Sequence, residues 1–318
     1  MANTNPIGFG TAAIGRPQYI NIRQEEGTFK SLAAFKQQGI ATLDKAYELG
    51  VRYFDTAPGY GMAEELLTEW LRNKDDLSLE VATKWGYTYT ANFDPTAEVH
   101  EVKEHSLAKL NEQWKRSSSL LPCLSTYQIH SATFETGVLG NESVLHRLAE
   151  LRDLHQLKIG LTTSGANHTE VLKYAAEVEV NGALLFEVFQ VTYNLFDQSA
   201  AAMAYELARQ GRRVVVKEAL ANGRIFANTA YPHYQSAYSI LEKLAQKYEV
   251  GVDAIALRFC VDSIPVFSVL SGAAQGDHLV ANLKANQFEL SPAEISELRS
   301  LAVDAEAYWS ERKQLGWN

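Results

Sequence analysis

The chain has 318 residues, a formal net charge of −9 and 46% hydrophobic composition, enough for a large core. It has no Lys/Arg-rich block, so nucleic acid is not expected as the main partner, because phosphate binding needs concentrated basic charge. The start, Met1-Ala2-Asn3-Thr4-Asn5-Pro6, has neither the basic nor the apolar part of a secretion signal. No run of about 18 apolar residues occurs, so neither secretion nor membrane spanning is expected and a cytoplasmic location is.

Short β-branched or aromatic runs alternate with helix-like stretches along the whole chain, the pattern of parallel strands joined by crossover helices. Strands are expected at Ile7–Thr11, Arg52–Asp55, Leu79–Thr83, Ser125–His130, Lys158–Thr162, Leu184–Thr192, Arg213–Lys217 and Val266–Leu270. Helices are expected between them at Ile40–Gly50, Ala63–Arg72, Glu98–Glu112, Glu142–Leu154, Thr169–Ala176, Ser199–Arg209 and Tyr234–Tyr248, and after the last strand at Asp277–Ala285. A further helix starts at Ser291-Pro292-Ala293-Glu294, where serine caps, proline suits the first turn and Glu294 completes a capping box. Eight β-α repeats favour a closed TIM (β/α)8 barrel over an open sheet, and no composition break suggests a second domain. The expectation is one barrel domain over residues 1–318 with a C-terminal helical extension.

The two cysteines suit a reducing compartment, Cys123 in an apolar run and Cys260 in a helix-like stretch, both as core residues. Gly8-Phe9-Gly10-Thr11-Ala12-Ala13-Ile14-Gly15 has its third glycine displaced from the dinucleotide fingerprint and reads better as a tight turn after the first strand. The pairs His100/His105 and His146/His155 do not put two ligands on one helical face and read as surface histidines, so no metal is expected.

Four polar residues follow apolar runs in the order Asp55, Tyr60, Lys84, His130. Each alone has an ordinary reading: a strand-end turn, a loop aromatic, a solvated charge, a core histidine. Together, at the strand ends where barrel enzymes keep their chemistry, they form a proton-delivery set for reducing a carbonyl. A free tyrosine, pKa near ~10, releases its proton poorly at neutral pH and needs a positive neighbour that stabilises phenolate. Lysine supplies that charge, a carboxylate anchors the lysine, and histidine orients the substrate oxygen.

The sequence resembles the aldo-keto reductase superfamily over nearly its whole length. The likeness is carried by Gly8-Phe9-Gly10-Thr11, Tyr53-Phe54-Asp55-Thr56-Ala57-Pro58-Gly59-Tyr60-Gly61, Ala82-Thr83-Lys84, Gln128-Ile129-His130, Gln190-Val191-Thr192-Tyr193-Asn194-Leu195 and the Gly272 to Asn282 segment. The resemblance implies a TIM barrel that binds NADP or NAD in extended form without a Rossmann fold, with the reduced form as hydride donor. Tyr60 would be the acid, Lys84 and Asp55 its tuning pair, and His130 the orienter of a small carbonyl or sugar substrate. Cofactor contacts are implied at Gly10, Thr11, Asp55, Thr162, Gln190, Lys217, Gly272 and Asn282. The alternatives are a weakly active or non-enzymatic cofactor-binding regulatory subunit, and an aldose or sugar-alcohol dehydrogenase.

Several positions depart from the family pattern. Thr162-Thr163-Ser164-Gly165 stands where many members have Ser-Asn, and Lys217 where many stack a tyrosine on the nicotinamide. Ala274 and Gln275 lack the cations that hold a 2′-phosphate, leaving His278, Lys284 or Arg224 to compensate. The first strand begins almost at once, so the usual N-terminal hairpin is not expected, and another plug or a partner chain is expected to close the barrel bottom. Trp85, Tyr87, Tyr89, Tyr308, Trp309 and Trp317, with the loop Arg16–Gly27, are candidate pocket walls.

Overall fold

The structure is a computed structural model that describes residues 5–17, 31–94 and 96–317. The candidate wall from residue 18 to 27 lies outside the described residues. Eight strands close into a parallel barrel: β1 Ile7–Gly10, β2 Tyr53–Asp55, β3 Glu80–Trp85, β4 Leu124–Ala132, β5 Lys158–Thr163, β6 Phe186–Thr192, β7 Arg213–Lys217 and β8 Ser268–Ser271. Each strand pairs with its neighbours in chain order, and β1 closes the ring on β8 through Ile7↔Val269 and Phe9↔Ser271.

Among the described residues, beyond the one-turn helix Ala12–Gly15, the α-helices are α1 Leu32–Glu48, α2 Ala63–Leu71, α3 Leu107–Ser117, α4 Glu142–His155, α5 His168–Ala176, α6 Ala201–Arg209, α7 Gln235–Tyr248, α8 Val252–Ser263, α9 Gly276–Leu283, α10 Pro292–Arg299 and α11 Ala305–Lys313. The last two form the C-terminal extension. Caps fix several starts: Ser31 on α1, Ser106 on α3, Asp304 on α11, and the expected Ser291/Glu294 capping box on α10. One apolar shell between strands and helices holds most of the core, including Phe9, Phe54, Leu66, Ile129, Leu161, Phe189 and Val216.

Two helix expectations are corrected. The stretch Glu98–Glu112 is not one helix: Glu101–Lys103 pairs antiparallel with Tyr87–Tyr89 (Tyr87↔Lys103, Tyr89↔Glu101), and the helix starts only at Leu107. Tyr87, Thr88 and Tyr89 are strong β formers, and Val102 pairs with Thr88 in this hairpin, so strand pairing overrides a helical count. The crossover from β7 to β8 holds a second helix, α8, beyond the one expected. Ala254, Ile255, Ala256, Leu257, Phe259 and Cys260 are all fully buried, so the polar face of α8 shrinks to the narrow Arg258–Asp262 stripe and its helical period is faint.

The bottom of the barrel is closed by this chain's own side chains. Arg213 on β7 and Glu80 on β3, strands on opposite sides of the ring, meet at 2.6 Å across the lumen. The Arg213 guanidinium lies 4.0 Å from the Phe267 ring, which takes the edge of Tyr53 at 5.2 Å. Tyr53, Ala82, Val188, Val215 and Leu270 fill the lumen above this plug. No helix among the described residues is long and apolar enough to cross a membrane.

Candidate active site

Asp55 ends β2 and Lys84 lies near the end of β3; both side chains are buried and in direct ion contact. Lys84 Nζ also donates to the Thr56 carbonyl at 3.0 Å and to the Tyr60 hydroxyl at 3.1 Å. The Asp55 carboxylate accepts from Gln190 Nε2 of β6 at 2.8 Å and from Gln128 Nε2 of β4 at 3.3 Å. A buried charge survives only if paired and hydrogen-bonded, and this polar layer across the top of the lumen supplies both.

Close packing with the first βα turn places Tyr60. Met62 N donates to the Gly15 carbonyl at 2.9 Å, and a Cβ at Gly15 would lie 2.1 Å from the Tyr60 carbonyl oxygen, so only glycine admits this approach. The Tyr60 hydroxyl lies 3.5 Å from His130 Nε2. All four expected residues therefore meet around one hydroxyl.

His130 comes from an irregular strand end. The β4–β5 register slips between Ile129 and Ala132, and Ser131 has φ 54, a left-handed conformation that costs an L-residue on the order of 1–2 kcal/mol. The Tyr87 ring packs at 4.7 Å from the imidazole.

Burial, with the charges of Lys84 and Arg16, pushes His130 well below the usual histidine value, so its imidazole is neutral at neutral pH. Tyr60 moves opposite to the expectation drawn from Lys84. Burial first, then the Asp55 carboxylate, raises it well above 10, with Arg16 opposing. The Asp55 carboxylate beside Lys84 works against the ammonium at the hydroxyl, and desolvation is the largest cause. Tyr60 thus holds its proton in this state.

Above these groups opens a cleft of about 620 Å³. Tyr60 and His130 border it, Thr162, Ser164 and Asn167 line one wall with Lys217, and Trp309 and Arg312 of α11 line another. Burial lowers Lys217; its Nζ donates to Thr192 Oγ1 at 2.7 Å and lies 3.9 Å from Glu218. Although burial opposes its charge, Lys217 and Arg312 hold the Glu218 carboxyl at about 2.

The other expected positions divide. Gln190 faces Asp55, Thr162 borders the cleft, and Gly272 is exposed with open space where a Cβ would stand. Thr11 is fully buried and gives both N–H and hydroxyl to the Asp55 carbonyl, so it fixes the β2 end. Gly10 pairs with Asp55 in the barrel. Asn282 is buried between Ser271 (2.7 Å) and Asp253 (2.6 Å), bracing the loop after β8. Arg224, expected as a candidate phosphate cation, is fully buried and paired with Glu311 of α11 at 2.7 Å. His100 is not a surface residue but buried, its ring stacked on Trp317 at 4.5 Å. His105 is half-buried against Trp85.

Sequence reasoning missed Gln128, Lys103, Glu218 and Arg312. Gln128 had a signal: Thr126, Gln128 and His130 alternate along one strand, as residues facing one side of a strand must. Lys45 was also missed; its stem packs 3.2 Å from a Cβ position on Gly276, at the start of α9.

The model of the aldo/keto reductase family matches residues 6–303. The chain belongs to this family. It is 23% identical over 98% of its length to an aldo-keto reductase of Strobilurus tenacellus, covering 92% of that protein. It is 22% identical to the NADH-specific methylglyoxal reductase of Escherichia coli, with 84% of this chain and 88% of that one aligned. Among solved structures, the holo form of an aldo-keto reductase from Bacillus halodurans superposes with a TM-score of 0.68 at 20% identity, covering 96% of both chains. A glycerol dehydrogenase from Gluconobacter oxydans superposes with a TM-score of 0.69 at 20% identity, covering 93% of this chain and 90% of that one. These likenesses agree with the closed barrel.

Proposed function

We propose that the protein is an NAD(P)(H)-dependent oxidoreductase that moves hydride between a nicotinamide cofactor and an aldehyde, ketone or alcohol, with Tyr60 as proton donor. The observation that carries the reading is the Tyr60 hydroxyl held between Lys84 Nζ at 3.1 Å and His130 Nε2 at 3.5 Å at the edge of an open cleft.

A nicotinamide bound in the cleft supplies or accepts the hydride. The residues present fit such a group. Thr162, Ser164, Asn167 and Lys217 offer hydroxyl, amide and ammonium donors along the wall next to Tyr60, and Gly272 leaves room for close backbone approach. A substrate carbonyl oxygen seated between Tyr60 and His130 accepts from both, with the neutral imidazole carrying its proton on Nε2. As negative charge grows on that oxygen, Tyr60 transfers its proton, because an alkoxide is more basic than a phenolate. Lys84, anchored by Asp55, donates to the phenolate as it forms. The raised pKa of Tyr60 keeps the proton on its hydroxyl until a more basic oxygen is beside it.

Steady-state turnover of a panel of aldehydes, ketones and sugars, run in both directions with NADH and NADPH, tests this reading. Turnover of at least one carbonyl is expected, whereas cofactor binding without turnover would leave the regulatory-subunit reading. Comparing the two directions separates carbonyl reduction from sugar or alcohol oxidation.

A further inference from the structure

The reading above gives His130 a part but does not explain what aims its ring from an irregular strand end. The backbone there is gripped at three points. Thr162 Oγ1 accepts from Ser131 N at 2.7 Å, Lys103 Nζ donates to the Ser131 carbonyl at 3.0 Å, and His105 Nε2 donates to the His130 carbonyl at 2.9 Å. Both side-chain donors come from the segment that forms the antiparallel excursion with Tyr87–Tyr89, outside the barrel. We propose that Lys103 and His105 are positioning residues that hold the left-handed turn at Ser131 and so aim the His130 imidazole at the Tyr60 hydroxyl.

The surroundings of the two donors suit this task. The Lys103 ammonium hydrogen-bonds a backbone carbonyl and lies 5.3 Å from the Tyr87 ring, with the Glu101 and Glu135 carboxylates acting on it from farther off. His105 rests against Gly86, where φ is 114 and an added Cβ would lie 2.4 Å from Nε2; a larger residue would displace the ring from the carbonyl. Glu104 N donates to the Gly86 carbonyl at 2.8 Å and locks that approach. The excursion is anchored in turn by Arg16, which pairs with Glu101 at 2.8 Å. Because two successive carbonyls are held from one side and the intervening N–H from the other, the peptide between residues 130 and 131 has little freedom to rotate. Without the two side-chain donors, only the Ser131 N to Thr162 Oγ1 bond and the Tyr87–Ser131 side-chain bond are left to offset the cost of a left-handed serine, and an extended conformation would carry the ring off the hydroxyl.

The inference rests on the proposed role of Tyr60 and His130, so the test has an arm that does not use turnover. Lys103→Met, His105→Phe, His105→Gln and Tyr60→Phe are compared with wild type by steady-state kinetics, by cofactor titration and by NMR of the His130 imidazole. Loss of either donor is expected to lower kcat for a carbonyl roughly 10- to 100-fold, the scale of a small misplacement, with cofactor Kd within about 3-fold. His105→Gln keeps a donor near Nε2 and is expected to recover most of the loss. The His130 resonances are expected to shift in Lys103→Met and His105→Phe but to stay near wild type in His105→Gln. Unmoved His130 resonances in both donor variants overturn the inference whatever turnover does. Near-normal kcat in both, beside an inactive Tyr60→Phe enzyme, overturns it while leaving the proposed chemistry standing. A Tyr60→Phe enzyme with normal turnover refutes the chemistry instead, and the resonances then decide the positioning claim alone.

Discussion

The Lys84–Asp55 pair offers a sharp thermodynamic test because both partners are buried and each satisfies the other. Lys84→Met leaves the Asp55 carboxylate with two amide donors, Gln190 and Gln128, and no counter-charge. Asp55→Asn leaves the ammonium facing Thr56 O and the Tyr60 hydroxyl. Removing one partner of a buried pair costs about 3–5 kcal/mol, chiefly because an uncompensated charge stays behind. An unfolding entropy of about 2.1 cal/mol/K per residue gives roughly 0.67 kcal/mol/K for this chain, so each single variant should lower Tm by about 4–7 °C. The double variant leaves no charge unpaired and should cost no more than either single one. Differential scanning calorimetry on the four proteins measures the cycle. Single shifts near 1 °C, or a double shift equal to their sum, would refute the pairing energetics.

Further outcomes follow from the other charged groups. Burial holds His105 at about 4 against 6.5 for a free histidine, so the unfolded chain takes up the proton first as pH falls. Stability should drop by about 2 kcal/mol between pH 8 and pH 5 from this group, with His130 adding in the same direction; a Tm series should be flatter for His105→Gln, and parallel curves would contradict this. Lys217→Met removes an ammonium from the cleft wall while Glu218 keeps Arg312 at 2.8 Å, so oxidised cofactor should gain affinity relative to reduced, as fluorescence titration of both forms would register. An unchanged ratio would move Lys217 out of the cofactor site. With Ala274 and Gln275 uncharged and Arg224 taken by Glu311, discrimination against NADH should be weak or absent. An NADPH preference above roughly 100-fold, about 2.7 kcal/mol, would reveal a phosphate clamp, for which Lys45 beside Gly276 is the first residue to replace.

The barrel was legible because its strands are buried and β-branched and its crossovers amphipathic, so period and order both survive in the sequence. α8 was not, because it is buried on most of its surface and its polar stripe is no wider than the Arg258–Asp262 pair. The stretch Glu98–Glu112 was read as helix because the paired strands Tyr87–Tyr89 and Glu101–Lys103 are only three residues each, too short for a period. The grouping of Asp55, Tyr60, Lys84 and His130 at one end of the barrel was legible from their order at strand ends. What supports them was not: Gln128 looked like a strand residue, Lys103 fell inside an expected helix and His105 read as a surface histidine, since their roles depend on a turn whose φ no single residue type announces. The burial of Arg224 was hidden for a related reason, because its partner Glu311 on α11 lies 87 residues downstream.

Tyr60→Phe tests the central claim most directly, since it removes one hydroxyl and keeps the ring. Carbonyl reduction measured with saturating cofactor should fall by roughly 100-fold or more, the scale of a lost general acid, while cofactor Kd stays near wild type. A Tyr60→Phe enzyme that turns over a good carbonyl substrate at near wild-type rate would contradict the assignment of this hydroxyl as the proton donor.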